Sequence, residues 1–131
     1  MNYIYTAVFT PNDDSTKFYA RIPDLPGCIT TGSSLKDAID QITDAASGWL
    51  VVAEDEGLAI PQPTPQADVD RSSGDFLSLI SVDTIAYRAA TETKAVRKNV
   101  SLPQWMAVYA DKRGLNCSQI LQESLMERLR A

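Results

Sequence analysis

The chain of 131 residues contains no histidine. That absence excludes Ser-His-Asp and Cys-His nucleophilic systems and every zinc site that uses imidazole. Cysteine is scarce as well: Cys28 and Cys117 lie far apart and follow no metal-ligand or redox spacing. Both are expected to stay reduced and to behave as small hydrophobes, as free cysteine commonly does. No apolar run approaches the roughly 18 residues that a membrane span requires, and no charged-then-apolar leader opens the chain. A cytoplasmic protein with no membrane contact is the corresponding expectation.

Basic residues are few in one half only. Residues 1–82 hold four Lys and Arg against twelve Asp and Glu, a net of −8, whereas residues 83–131 hold eight against five, a net of +3. The overall charge of −5 and an isoelectric point near 4.6 would argue against nucleic acid if taken alone. The average conceals a basic module behind an acidic one. The split predicts two small domains, 1–82 and 94–131, joined by a hinge over 83–93 with the pattern of a short helix. The acidic part suits a basic protein partner, and the basic part suits DNA.

In the front part, Tyr3 to Thr10 alternates as a strand, Pro11 to Ser15 is a turn, and Lys17 to Ile22 returns as a second strand. Pro23-Asp24-Leu25-Pro26-Gly27 breaks that strand, because proline fixes φ and removes a ladder donor. Cys28 to Thr31 gives a third short strand. Ser34 followed by Asp37 is a shortened capping box, and a helix runs from there to about Glu56 with Leu35, Ala38, Ile39, Ile42, Ala46, Trp49, Leu50 and Ala53 on one stripe. Glu54-Asp55-Glu56 at its end opposes the helix dipole, which leaves either a solvated acidic end or one that a partner uses. Ile60 to Pro65 carries three prolines and is an extended connection, and residues 66–75 continue as polar loop. Phe76 to Val82 is strongly apolar, and a place inside the sheet is expected for it. None of Tyr3–Thr10, Lys17–Ile22 or Phe76–Val82 contains Asp or Glu. Two-metal nuclease chemistry needs clustered carboxylates on fixed elements, so the chain is read as a non-enzyme without cofactor or metal.

The back part opens on Lys94-Ala95-Val96-Arg97-Lys98-Asn99-Val100-Ser101-Leu102-Pro103. Strand parity puts Arg97, Asn99 and Ser101 on one face and Val96, Lys98, Val100 and Leu102 on the other. A two-stranded ribbon fits the DNA major groove, where Arg and Asn match guanine and adenine edges. One chain supplies one strand, so the ribbon needs a second copy. Pro103 suits the first helical position, and a helix follows over Gln104–Arg113 with Met106, Tyr109, Ala110 and Arg113 inward. Gly114 ends it, and a second helix starts near Asn116 with Ile120, Leu121, Ser124, Leu125 and Leu129 inward. Its first amides, with the Asn116 and Ser118 side chains, are placed to hold a phosphate. Lys94 and Lys98 are assigned to phosphates as well, Lys98 with its stem along the apolar face. A solvated strand and helical hairpin is the plainer reading, but fewer than about 50 residues rarely bury an adequate core unless they dimerise.

Residues 94–130 resemble the ribbon-helix-helix repressor domain, from which they depart at Lys98, where that pattern has an apolar residue. Ile22-Pro23-Asp24-Leu25-Pro26-Gly27-Cys28-Ile29-Thr30-Thr31-Gly32, the helix start Ser34-Leu35-Lys36-Asp37-Ala38 and Ile60-Pro61-Gln62-Pro63 resemble HicB antitoxins. With Asp83-Thr84-Ile85-Ala86-Tyr87-Arg88 and the tail, the resemblance covers essentially the whole chain. It implies an α+β protein: a partial ribonuclease-H-like β-β-β-α-β domain that inhibits a small basic HicA-type, mRNA-cleaving toxin, plus a ribbon-helix-helix module that represses the operon. Under it Arg97, Asn99 and Ser101 read bases of the operator, the C-terminal modules form a dimer, and two or four chains assemble. Tyr19, Asp24 and Leu25 are the candidate toxin contacts, although the same residues could simply build the turn. A stand-alone repressor whose front domain senses a small ligand is the alternative.

Overall fold

Alternation along the first strand sets the layers of the front unit. In the computed structural model, which describes residues 1–130, β1 (Asn2–Pro11) turns Tyr5, Ala7 and Phe9 into the hydrophobic core. The chain divides into two compact units, Met1–Arg88 and the part that begins at Ala89. In the first, β1 pairs with β2 (Phe18–Arg21) on one side and β4 (Phe76–Asp83) on the other, while β3 (Ile29–Gly32) pairs with β2. All three pairings are antiparallel, in the order β3-β2-β1-β4. Helix α1 (Leu35–Glu56) buries Ala38, Ile42, Ala46 and Leu50 against that sheet. Its start is fixed by Ser34, whose side chain accepts the Asp37 N–H at 3.0 Å, while the Asp37 carboxylate accepts the Ser33 N–H at 2.8 Å. Gly57, at φ 66°, closes its C-terminal end in the left-handed conformation.

The Pro23–Gly27 break is a knot of short bonds. The Leu25 N–H donates to the Ile22 carbonyl at 3.0 Å, the Cys28 N–H donates to the Leu25 carbonyl at 3.0 Å, and the Trp49 indole on α1 donates to the Pro26 carbonyl at 3.0 Å. Leu25 and Cys28 both enter the core. Gly32 at the end of β3 runs so close under α1 that a Cβ there would collide with the Ala38 backbone.

The connection after α1 is extended at Ile60–Pro65, as its prolines require, and then departs from plain loop in one 3₁₀ turn at Gln66–Asp68. Thr64 donates to Asp24 through its N–H at 2.8 Å and its hydroxyl at 2.6 Å. Farther on, Arg21 donates to the Asp70 carbonyl at 3.4 Å and Thr10 donates to Asp75 at 2.8 Å. Arg21 and Thr10 face away from α1 by parity. Those two bonds put residues 70–75 on that second face, where Thr6 and Val8 are buried, whereas Ile60 and Pro61 stay on the α1 side, the Pro61 carbonyl accepting the Tyr5 hydroxyl at 2.6 Å.

One expectation is overturned. Phe76–Val82, expected inside the sheet because it is so apolar, is an edge strand beside β1. Its apolar character is half used: Ile80 and Val82 are buried against α1's side, while Leu79 is 57% exposed.

The remaining helices are α2 (Thr84–Thr91), α3 (Gln104–Lys112) and α4 (Cys117–Arg130). The turn between α3 and α4 is a Schellman closure: Gly114 sits at φ 64°, its N–H donates to the Asp111 carbonyl, and the Leu115 N–H donates to the Ala110 carbonyl. Replacing Gly32 by Ala should lower the unfolding free energy by about 1–3 kcal/mol, because α1 must shift off the sheet end to admit the methyl group. Urea unfolding of the two chains measures it.

Candidate functional site

Residues 92–103 carry no regular secondary structure in the single chain. The strand expected over this stretch is not formed, and the reason is physical: a strand is held by a ladder, and no other segment of the described chain pairs with it. Lys94, Arg97, Lys98, Asn99 and Ser101 are all exposed. Parity still orders them. Lys98, Val100 and Leu102 line an open groove of about 450 Å³ together with Met106 and Ala110 of α3 and Ile120, Leu121 and Ser124 of α4. Arg97, Asn99 and Ser101 do not line it. Lys98 therefore lies with the apolar residues, as its position in the alternation requires.

Pro103 is the residue before α3 rather than its first turn; its carbonyl accepts the N–H groups of Met106 and Ala107. Asn116 caps α4, accepting the Gln119 N–H at 3.1 Å. Ser118, assigned beside it to a phosphate, sits on the groove wall with Cys117. Tyr109, expected inward, instead meets Trp105 edge to face at 6.2 Å and carries the Lys112 ammonium at 5.7 Å over its ring. The four-residue spacing of Trp105 and Tyr109 is the sequence signal for this pair. None of the described residues from Ala89 onward is buried.

The front unit scatters its three candidates. Tyr19 is half exposed and lines a shallow cleft with Lys17, Thr31, Ser33 and Asp37. Asp24 lies in a different depression and spends its carboxylate on Thr64. Leu25 is fully buried, so its side chain offers nothing to a partner, and its role is to plug the turn.

The acidic end of α1 finds its counter-charge within the chain. Arg88 of α2 pairs with Glu54 at 3.2 Å and Asp55 at 2.9 Å. Glu54 also accepts the Tyr3 hydroxyl at 2.7 Å and the Thr84 hydroxyl at 3.1 Å, while the Thr84 N–H donates to the Met1 carbonyl at 3.0 Å. Thr84 is completely buried. Burial opposes the charge on Glu54, but the bonds from Tyr3, Arg88 and Thr84 and the Arg88 charge prevail and hold its carboxyl below the ordinary value. Burial first, and then the bond to Glu54, pushes the Tyr3 hydroxyl up to about 12. Among the described residues no group of three or more Cys, Asp or Glu is placed to hold a metal ion. No helix among them is long and apolar enough to cross a membrane.

The HicB-like antitoxins of bacterial toxin-antitoxin systems match this sequence over residues 5–123. The chain belongs to that family. No curated protein matches it. Among solved structures, a toxin-antitoxin complex from Streptococcus pneumoniae is similar to this HicB-like antitoxin at a TM-score of 0.59 and 22% identity, over 98% of this chain and 99% of that one. The crystal structure of the Burkholderia pseudomallei antitoxin HicB gives 0.54 and 22%, over 97% and 98%. A HicA3 and HicB3 toxin-antitoxin complex gives 0.50 and 22%, over 62% of this chain and 99% of that one. At such identities the likeness establishes the fold, a mixed α+β architecture shared with HicB antitoxins.

The antitoxin's Glu54 knot makes a stability prediction. A carboxyl with a depressed folded-state pKa stabilises the fold above its unfolded value, and that contribution is lost as pH falls through the folded value. Glu54→Gln should cost about 1–3 kcal/mol at neutral pH and flatten the acid limb of the stability profile, as read by urea unfolding from neutral pH down to acid.

Proposed function

We propose that this antitoxin works through two surfaces, a front unit that binds and inhibits a small basic toxin of the HicA type and a C-terminal ribbon-helix-helix module that represses its own operon. One observation carries the second part. No described residue of the unit that begins at Ala89 is buried, yet Lys98, Val100 and Leu102 present an apolar edge to a groove floored by α3 and α4. A second copy of the 94–103 segment supplies the missing ladder, and burying Val100, Leu102, Met106 and Ile120 in the dimer supplies the missing core. Arg97, Asn99 and Ser101 then share the outer face of a two-stranded ribbon, in reach of base edges in the major groove. The two-fold of such a dimer calls for a palindromic operator. Lys94 is assigned to phosphate. The Asn116 cap and Ser118 are retained near the start of α4, where the free helix N–H groups favour an anion.

The front unit is read as a partial ribonuclease-H-like fold turned to binding. Its net charge of −8 over residues 1–82 favours a basic partner and accelerates the encounter. Solved relatives include complexes of a toxin with an antitoxin, one of them of HicA3 with HicB3. Tyr19 stays a candidate contact, Asp24 acts through the order it imposes on the Thr64 segment, and Leu25 acts only through the turn.

Asn99→Ala should lose about 1–3 kcal/mol of base discrimination in binding-site selection. Unchanged preference and affinity would remove Asn99 from the reading face. Co-purification with the protein encoded next to the gene should recover a small basic partner. If none is recovered and a small molecule instead shifts operator affinity, the front unit is a ligand sensor and the chain a stand-alone repressor.

A further inference from the structure

Most acidic residues of α1 are already engaged. The Asp37 carboxylate accepts the Ser33 N–H, Asp40 pairs with Lys36, and Glu54 and Asp55 share Arg88. Asp44 makes no ion pair with any described residue, and it stands at the wall of an open groove of about 530 Å³ in the front unit. Trp49, Val52 and Leu58 line the same groove, with Val52 51% and Leu58 53% exposed. The Trp49 indole is held in place there by its bond to the Pro26 carbonyl. No Lys or Arg lines the groove, so Asp44 is its single charge. Gly48 sits in the same wall, inside α1, where glycine is destabilising against alanine. At Gly32 a Cβ would collide with α1, but at Gly48 it would meet the Tyr87 hydroxyl at 3.6 Å, an ordinary contact. Packing within the front unit therefore does not demand glycine at 48. What it leaves is bare helix backbone on an apolar wall, open to close approach by another chain.

Resting on the toxin-binding reading of the front unit, we propose that this groove receives the small basic toxin. A Lys or Arg side chain of the toxin lays its stem along Val52 and Trp49 and sets its charge against Asp44. Tryptophan is among the side chains that most often anchor an interface, and Trp49 is fixed before anything binds. A carboxylate beside an apolar wall selects the sign of what lands on it. A polyanion is disfavoured by Asp44 and by the lack of Lys or Arg in the lining. A second copy of residues 1–82 would bring a net −8 against −8. A basic protein meets neither obstacle. The groove lies apart from the depressions that hold Tyr19 and Asp24, so it is a contact surface that neither of those residues marks.

The probe is the small basic protein encoded next to the gene, co-purified with the full chain and then titrated against it by calorimetry. Asp44→Lys should weaken binding about tenfold or more. Asp14→Lys in the turn between β1 and β2 changes the net charge equally and should weaken it far less. Gly48→Ala should raise the urea midpoint, as alanine does inside a helix, and yet weaken binding about tenfold. A photo-crosslinking residue at Val52 should join to the partner, and one at Leu79, on the face of the sheet away from α1, should not. Urea unfolding reports whether each variant is folded, and the crosslinks decide the matter should Asp44→Lys or Gly48→Ala fail to fold. Undiminished affinity in both of those variants, an equal loss in Asp14→Lys, or crosslinking at Leu79 and not at Val52 would overturn the groove while leaving toxin binding intact. A wild-type chain that holds no basic partner would overturn the toxin-binding reading and the groove with it.

Discussion

A four-stranded sheet has two faces and two edges, and the front unit has a single long helix with which to cover them. That shortage organises the unit. The aromatic side of β1 takes α1, so Tyr5 and Phe9 end in the core beside Ile42 and Leu50. The Pro-rich connection starts on the same side, with Ile60 against the core and the Pro61 carbonyl accepting the Tyr5 hydroxyl, and only the loop after it crosses to the opposite face, tied down at Arg21 and Thr10. Proline suits that task because a chain laid across a sheet face should neither coil into a helix nor offer donors to a ladder. What cannot be covered is the edge of β4, and it is there that exposed apolar side chains and unpaired backbone coincide.

The same helix explains the charge at its C-terminal end. Three successive acidic residues against a negative dipole end would be an isolated cost. Arg88 and Thr84 turn that cost into a tie between the end of α1, the beginning of β1 and the first turns of α2. Residues that the charge split places in a hinge, from 83 onward, are therefore held by the front unit as far as Arg88. The acidic end draws its partner from within the chain, across more than thirty positions of sequence.

Much of the front unit is legible in the sequence because local chemistry fixes it. Ser34 and Asp37 mark the start of α1, the Pro-Asp-Leu-Pro-Gly turn ends β2, and alternation separates Tyr5 and Phe9 from Ile4. Pairing order is not local, and Phe76–Val82 shows the consequence: its apolar run is compatible with an interior strand or with an edge whose neighbour lies outside the chain. The Arg88 tie escapes for the same reason, since nothing near Glu54 in sequence announces it. In the back unit, the helices and their Gly114 closure follow from composition and spacing, whereas the strand does not form within one chain at all. Parity nevertheless places Lys98 correctly with the apolar residues of the groove, because side-chain alternation survives the loss of the ladder. Leu25 was ambiguous between plug and contact, and packing, which sequence does not report, makes it the plug.

The two unfinished surfaces differ in what they lack. The groove of the C-terminal unit, lined by Val100, Leu102, Met106 and Ile120, lacks apolar cover, while Arg97 and Asn99 lie exposed and do not line it. The outer edge of β4 makes no turn, cap or loop bond through its backbone, so its free groups are left to solvent. Acidic charge concentrates on the turns and helix of the front unit, and basic charge gathers in the segment that opens the back one. Phe76–Val82 carries no charge and the groove is lined by a single one, Lys98, so each unit keeps an apolar surface largely clear of its own charge.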